Sequence, residues 1–496
     1  MHSCTSFRIA ALAALLSLGI SLHAQGSGAS PYSAYGFGDL LSTGQVSQAI
    51  MGGTGVAFTE PFSVVLGNPA SYAALVRPVF EVGTSFRSST IEYPDGKAKS
   101  KDANFEGFTV GVPFDRGKWG MAMGITPFSN VGYSATTSSV IDEGTVQYQY
   151  LGSGGLNQVF LGFGHTLWEQ RSDSLGNAGS RLMLGLDGNY IFGSLEETRN
   201  AIYPPDGTFS NVRAFSSLIL RGLSSDANMI WQGDLTRTQA KDQNNWRYNI
   251  GLTAQLPVNF NATYSKLVST YVTNSQIETT RDTVENNNGV HGKVVLPIGY
   301  GFGASIYDSH WLFTAEVRTR DWSTTSVQVG DYSLGTSLRK SMIYAAGARY
   351  KPANEGTLLQ RMVYRAGVRH NDAPAELMGR VVSSDAITLG VSIPLNPVHT
   401  NSFVNIGGEF GQRGTGSDQF CTSAMPRSGS ASHSPLGKAS AGSPRRRSNE
   451  AVGVDLCRPP RSAAALLQER SGPCSGDRSA SECPGSRDHE CRILLF

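Results

Sequence analysis

Hydrolytic chemistry in this chain would need a serine or carboxylate beside a histidine, and His165, His310 and His370 are the candidates in its body. His370-Asn371-Asp372 is the most suggestive cluster, but Asn-Asp after a strand is ordinary turn chemistry, and near neighbours in sequence rarely form a triad. The body has no paired cysteines or histidines at metal-ligand spacing, no phosphate loop and no dinucleotide fingerprint. Gly301-Phe302-Gly303 is strand alternation, since no helix follows it. The expectation is therefore a protein that is not an enzyme, with no catalytic residue, metal or cofactor. Binding chemistry is better represented. Arg349, Arg365 and Arg369 fall on the polar side of alternating segments and could pair with a ligand carboxylate. The alternative is that they pair with Glu316, Glu409 or Asp187 and brace the interior.

The segments that carry these residues share one pattern. From Pro78 to Gln412, stretches of about ten residues alternate apolar and small or polar side chains. Leu182, Leu184, Leu186, Tyr190 and Phe192 oppose Gly185, Asp187 and Asn189; Trp311, Phe313, Ala315 and Val317 oppose Thr314, Glu316 and Arg318. A single apolar face is also expected through Val294, Leu296, Ile298, Tyr300, Phe302, Ala304 and Ile306. The second face is mostly Gly, Ser and Thr, where a soluble sandwich would show Lys, Glu and Thr. Apolar faces ending in Phe114, Tyr190, Trp311 and Tyr350 suit the aromatic girdles of a membrane barrel. Charged residues make up only 16% of the chain, low for a soluble surface of this size. The net charge of +2 gives no reason to expect nucleic acid. The predicted fold is all-β: a transmembrane antiparallel β-barrel of about fourteen strands. Thr136 to Glu143, Asn200 to Asn211 and Thr279 to Gly292 read as longer polar loops. Within Trp119 to Tyr133, the insertion of Pro127, Asn130 and Gly132 either ends the strand or kinks it.

Ahead of the strands lies a different kind of sequence. Arg8 and the apolar run to Leu22, with Ala24 before Gln25, predict a signal peptide over residues 1–24, exporting the chain to the outer membrane of a Gram-negative-type cell. Residues 25–77 are rich in Gly, Ala, Ser and Pro, without period-two alternation, and include Met51-Gly52-Gly53-Thr54-Gly55 and Asn68-Pro69-Ala70-Ser71-Tyr72. This segment is expected to be compact, without strands, and to sit as a plug inside the barrel of residues 78–420. Residues 421–496 change abruptly: five of the six cysteines lie there, and Phe496 is the segment's only aromatic. Taken at face value that tail is disordered.

The order of these motifs resembles the FadL/TodX-type outer-membrane transporters of hydrophobic compounds, and their Bacteroidetes-type relatives in particular. The matching residues are Ser30-Pro31-Tyr32-Ser33, Tyr35-Gly36, Gly38-Asp39, Met51 to Gly55, Asn68 to Tyr72, Leu296-Pro297 with Tyr300 to Gly303, and Asp321-Trp322-Ser323. The resemblance implies a hatch containing Gly52, Gly53, Gly55, Asn68, Pro69 and Ala70, and passive uptake of hydrophobic small molecules such as long-chain fatty acids. It also implies a lateral wall opening, for which Pro127, Asn130 and Gly132 are the candidate kink, and an internal pocket, where Arg349, Arg365 and Arg369 could meet a ligand head group. The implied surroundings are outer-membrane lipid and lipopolysaccharide, with the barrel-assembly machinery as a partner during insertion and a monomer as the working unit. Some barrels with a similar hatch act instead as shuttles in type IX protein secretion, which makes a structural or secretion role the second reading. The simultaneous change in Cys, aromatic and Gly usage at Cys421 suggests that the residues from there on are read out of frame, in place of the aromatic-ended last strand that the resemblance leads one to expect. Translating the other frames of the coding DNA is expected to yield such a strand, and its absence from both would refute the idea.

Overall fold

The computed structural model describes residues 30–414 and 422–428, apart from 42–43, 94–95, 143, 171–178, 205–208, 237–244, 275–276, 378–379 and 396–401. The expected signal peptide and most of the tail lie outside the described residues. The strands in chain order are β1 (Asp39–Leu40), β2 (Val79–Tyr93), β3 (Gly96–Asp115), β4 (Trp119–Ile141), β5 (Gly144–Glu169), β6 (Arg181–Ile202) and β7 (Asn211–Asp234). They continue with β8 (Arg247–Gln255), β9 (Val258–Asn274), β10 (Ile277–Leu296), β11 (Gly299–Tyr307), β12 (Trp311–Asp321) and β13 (Ser326–Gln328). The last are β14 (Ser337–Leu338), β15 (Lys340–Tyr350), β16 (Val363–Leu377), β17 (Arg380–Pro394), β18 (Phe403–Arg413) and β19 (Thr422–Ser428).

All of them join one sheet of nineteen strands, against the expected fourteen or so. The excess arises where long runs are broken. β8 and β9 are separated by Leu256-Pro257, β10 and β11 by Pro297-Ile298, β12 and β13 by a 3₁₀ turn at Trp322–Thr324, and β14 and β15 by Arg339. Proline cannot donate to a ladder, so the first two breaks fall where the residue type demands them. β1 belongs to the N-terminal segment and pairs Asp39 with Asn130 and Leu40 with Ser129, which corrects the expectation that this segment has no strand. The pairings are antiparallel. β7 holds β9 along its first half and β8 along its second, and β19 pairs with both β18 and β2. β19 lies inside the tail expected to be disordered. Its backbone pairs with β18 and β2, and a ladder is built from main-chain groups rather than from any side-chain pattern.

Most of the strands are longer than ten residues, reaching 26 in β5. The expected loops Thr136 to Glu143 and Thr279 to Gly292 fall largely within β4 and β10. Their hairpins are polar on both faces, and that hides a strand from a search for period-two apolar residues.

Along the lower part of the sheet the faces are reversed relative to a soluble protein. Leu186 is 57% exposed and its neighbour Asp187 3%. Tyr300, Phe302, Ile306, Trp311, Phe313, Ile387, Leu389 and Phe410 are exposed, whereas Asn189, Thr314, Glu316, Arg365, Thr388 and Glu409 are buried. Large rings stack near the strand ends on the exposed side, as in Trp119 on His165, Trp168 on Trp231 and Trp311 on Tyr350. The two proline breaks end this arrangement. Below them Asn249, Thr253 and Ser305 are buried; beyond them the parity shifts by one and Val258, Phe260, Val294 and Leu296 turn to the buried side. The single apolar face expected from Val294 to Ile306 is therefore split at Pro297-Ile298. Val294 and Leu296 join Phe37, Leu218, Leu220, Val258, Phe260 and Trp322 in an apolar cluster.

The glycines of the buried face have a steric purpose. A Cβ at Gly367 would lie 2.2 Å from the Gly52 nitrogen, one at Gly185 would lie 2.1 Å from the Ala70 nitrogen, and one at Gly120 would lie 1.9 Å from the Tyr72 oxygen. N-terminal backbone rests where these side chains are missing. Gly188, on the exposed side, meets nothing closer than 3.9 Å. Gly367→Ala is expected to loosen the turn at Met51-Gly52, seen as faster proteolysis of the N-terminal segment. Gly188→Ala should leave the rate unchanged.

Candidate functional site: the N-terminal segment and its cavity

A one-turn helix, α1 (Val46–Ala49), ends at two successive glycines in the left-handed region, Gly52 at φ 73° and Gly53 at φ 80°. That reversal requires glycine. It sends the chain back across the buried face, where every irregular backbone group needs a partner. The Glu316 carboxylate accepts from the nitrogens of Gly55 (2.7 Å) and Val56 (2.8 Å). Gly52 donates to Thr388 Oγ1 at 3.0 Å, and Arg318 donates to the Gly53 oxygen at 3.0 Å. The Ala57 oxygen accepts from Asn249 at 3.1 Å and Ser305 at 2.8 Å.

Asn68 is the internal keystone of the segment and is fully buried. Its Nδ2 donates to the carbonyls of Gly55 (2.6 Å), Val56 (3.3 Å) and Phe58 (3.1 Å), and its Oδ1 caps the 3₁₀ turn Pro69–Ala74 by accepting from Ser71 at 3.2 Å. Pro69 fits the first position of that turn, where no donor is needed. Ala70 is fully buried because its nitrogen lies against Gly185. The candidate hatch residues Gly52, Gly53, Gly55, Asn68, Pro69 and Ala70 thus form one connected unit. Gln48 completes it, bonding both the nitrogen (2.9 Å) and the oxygen (3.2 Å) of Leu66. Gln48 escaped the sequence reading, because a glutamine in a short turn carries no distinguishing signal.

The three arginines are all engaged. Arg349 and Arg365 converge on Glu60 of the N-terminal segment at 3.1 and 3.3 Å, and Arg369 meets Glu409 at 2.7 Å. The Arg369–Glu409 pair matches the bracing alternative. Glu60 escaped the sequence reading, since it lies far from both arginines along the chain. Burial pushes the Glu60 carboxyl up, but Arg349 and Arg365 overcome this and hold it below its ordinary value. Tyr72 donates to Asp187 at 3.3 Å; burial first, and that carboxylate second, raise its phenol well above the ordinary range. The three candidate histidines have separate partners. His165 stacks on Trp119, His310 bonds Ser309, and His370 lies between Asp385 (2.7 Å) and Asp372 (3.3 Å) on the exposed side. Among the described residues, no group of three or more His, Cys, Asp or Glu could hold a metal, and no helix is long and apolar enough to cross a membrane.

Pro127 sits at a register shift between β4 and β5, yet β4 continues to Ile141, so the strand does not end there. Its pairing with β3 does stop, at Phe108 opposite Ile125. The N-terminal segment occupies this stretch instead: Asp39 pairs Asn130, Leu41 donates to the Phe128 oxygen at 3.1 Å, and Gly132 donates to Ser33 Oγ at 3.1 Å. Between the segment and the sheet is a cavity of about 250 Å³. Its lining mixes Tyr35, Phe37, Phe128, Phe160 and Trp322 with Asp187, Asp226, Arg318, Arg320 and Arg413. Arg413 also binds Asp39 at 2.6 Å and stacks over Tyr32.

An all-β sheet with its polar face buried, holding an irregular N-terminal segment, is the class of protein these observations define. A family model named BamG matches residues 7–422, and the chain belongs to the BamG family. No curated protein matches the sequence. Among solved structures, it is similar to a Pseudomonas aeruginosa FadL homologue at 12% identity, covering 80% of this chain and 100% of that one with a TM-score of 0.46. It is also similar to the Pseudomonas putida toluene transporter TodX at 13% identity, covering 79% and 98% with a TM-score of 0.45.

The Glu60 cluster makes a pH prediction. A carboxyl held below its ordinary value of 4.5 contributes fully to stability above that pH, and the contribution disappears as pH falls through the lowered value. Pepsin cleavage of the N-terminal segment is expected to accelerate across that acid window in the native chain. Glu60→Gln should cleave faster above that window, converge with the native chain below it, and so flatten the acid dependence.

Proposed function

We propose that the sheet closes into an outer-membrane β-barrel, that the N-terminal segment is its plug, and that the protein passes hydrophobic small molecules, such as long-chain fatty acids, through the enclosed cavity. The observation that carries this reading is the reversal of faces: rows of exposed Leu, Phe, Trp and Tyr around a buried polar side. Water would penalise such a surface, whereas lipid accepts it at no cost. The pairings of β19 with β2 and of β9 with β10 support closure, because an open edge would expose unpaired backbone to hydrocarbon. The aromatic part of the cavity lining suits an acyl chain, at about 0.8 kcal/mol per buried CH₂.

Passage in this reading uses the gap in β3–β4 pairing beside Pro127, Asn130 and Gly132. Withdrawal of β1 from β4 would open it, and Asn68 would hold the plug in the resting state. Because Glu60 and Glu409 already engage Arg349, Arg365 and Arg369, a ligand carboxylate would have to compete with those pairs. That dense bracing favours a second reading, a static barrel with a structural or secretion role.

Mass spectrometry of apolar compounds extracted from purified protein, beside fatty-acid uptake by a deletion strain, separates the two. Transport predicts bound lipid and reduced uptake. A ligand-free cavity with unaltered uptake overturns it, and co-purification with large secreted proteins would favour the second reading. Asn68→Ala removes the partner of three buried carbonyls, a local loss on the order of 3 kcal/mol. It should raise permeability while assembly is preserved; failed assembly would make the motif structural.

A further inference from the structure

The hairpin of β2 and β3 carries a charge pattern unlike the rest of the exposed surface. On the exposed face of β3, Phe105 and Ala103 are followed by Lys101, Lys99 and Lys97 at every second residue. Ala103 stands opposite the exposed Phe86, while Lys101 and Lys99 stand opposite Ser88 and Thr90. The cations therefore begin directly where the apolar belt ends.

Some exposed cations elsewhere have carboxylate partners: Lys118 with Asp115, Arg199 with Glu197, Arg213 with Glu278, and Lys266 with Glu285. Lys99 and Lys101 have no such ion pair among the described residues. The nearby carboxylates are turned elsewhere, Asp102 towards Asn104 and Glu106 towards Ser85. The β3 edge from Gly96 to Gly107 also has no β4 pairing.

We infer that Lys97, Lys99 and Lys101 form a docking site for a phosphorylated lipid headgroup at the rim of the apolar belt, an inference that rests on the membrane reading above. Lys101 is four residues beyond Phe105, roughly 10 Å in height after allowing for strand tilt. A lysine stem lets its ammonium reach back into the headgroup layer. Successive ammonium groups start about 7 Å apart, a spacing that one headgroup with two phosphates can bridge. The hydroxyls of Ser88 and Thr90 on the neighbouring strand can donate to the same oxygens. Attraction of lysine to an anionic membrane surface corresponds to about fivefold in affinity per residue, and on the order of a hundredfold for three.

The test uses the full chain reconstituted into phosphatidylcholine vesicles with a small fraction of lipid A. Lipid retained per protein after re-extraction is measured by mass spectrometry. The native chain is expected to enrich lipid A, and enrichment should fall with salt. K97Q/K99Q/K101Q should lose it by about two orders of magnitude, whereas K97R/K99R/K101R should keep it. Equal retention by the glutamine variant, or equal retention of a dephosphorylated glycolipid, overturns the assignment. Insertion is followed separately, by quenching of tryptophan with brominated lipid in pure phosphatidylcholine. A native chain that fails to insert there defeats the membrane reading and the docking site with it; insertion without enrichment defeats the docking site alone.

Discussion

The constraint on which the structure depends is the need of an irregular backbone to satisfy its polar groups inside a sheet. Residues 44–75 are mostly buried and carry only one turn of α-helix, so few of their N–H and C=O groups bond within secondary structure. Each left unpaired would cost about 1–3 kcal/mol. The sheet supplies the partners. Glu316, Thr388, Arg318, Asn249 and Ser305 reach from β12, β17, β8 and β11 to the stretch from Gly52 to Ala57. Asn68 and Gln48 do the same from within the segment.

Two other properties follow from that constraint. Side chains that serve as hydrogen-bond partners must be polar and buried, which moves the apolar residues of the same strands to the exposed face. Backbone can approach a strand closely only where no Cβ intervenes, so the buried face alternates partners with glycines such as Gly185 and Gly367. Charge is handled by the same logic. Glu60 brings a carboxylate into a buried site only because two guanidiniums meet it there, and an unpaired carboxylate in that place would be far costlier.

The proline breaks set the limits of this arrangement. At Pro257 and Pro297 two neighbouring strands break together with their register kept, and the faces exchange roles. Beyond them Asn259, Asn261 and Lys293 are exposed and Phe260, Val294 and Leu296 are buried, as in a water-soluble sheet. The apolar cluster formed there includes Phe37 of the N-terminal segment. The segment is thus held by polar contacts at one level and apolar contacts at the next.

Much of this was legible in the sequence. Alternation at Leu182 to Phe192 and Trp311 to Arg318 depends only on a strand's two-residue period, so it assigned the exposed and buried faces before any fold was known. The Gly-, Ala-, Ser- and Pro-rich composition of residues 25–77, without alternation, likewise set that segment apart from the long strands. Expectation failed where neighbours in space decide. Period-two logic carried Val294 and Leu296 onto the wrong face, because the shift at Pro297 is set jointly with Pro257 on the adjacent strand. It also read the two-faced polar hairpins as loops, since their pairing partners, not their side-chain pattern, make them strands. The pairing of Glu60 with Arg349 and Arg365 spans nearly three hundred residues, and only the folded sheet brings them within reach. Sequence determined which side chains could serve an enclosed polar face; tertiary structure decided which backbone atoms and charges they meet, because long-range contacts carry no local signal.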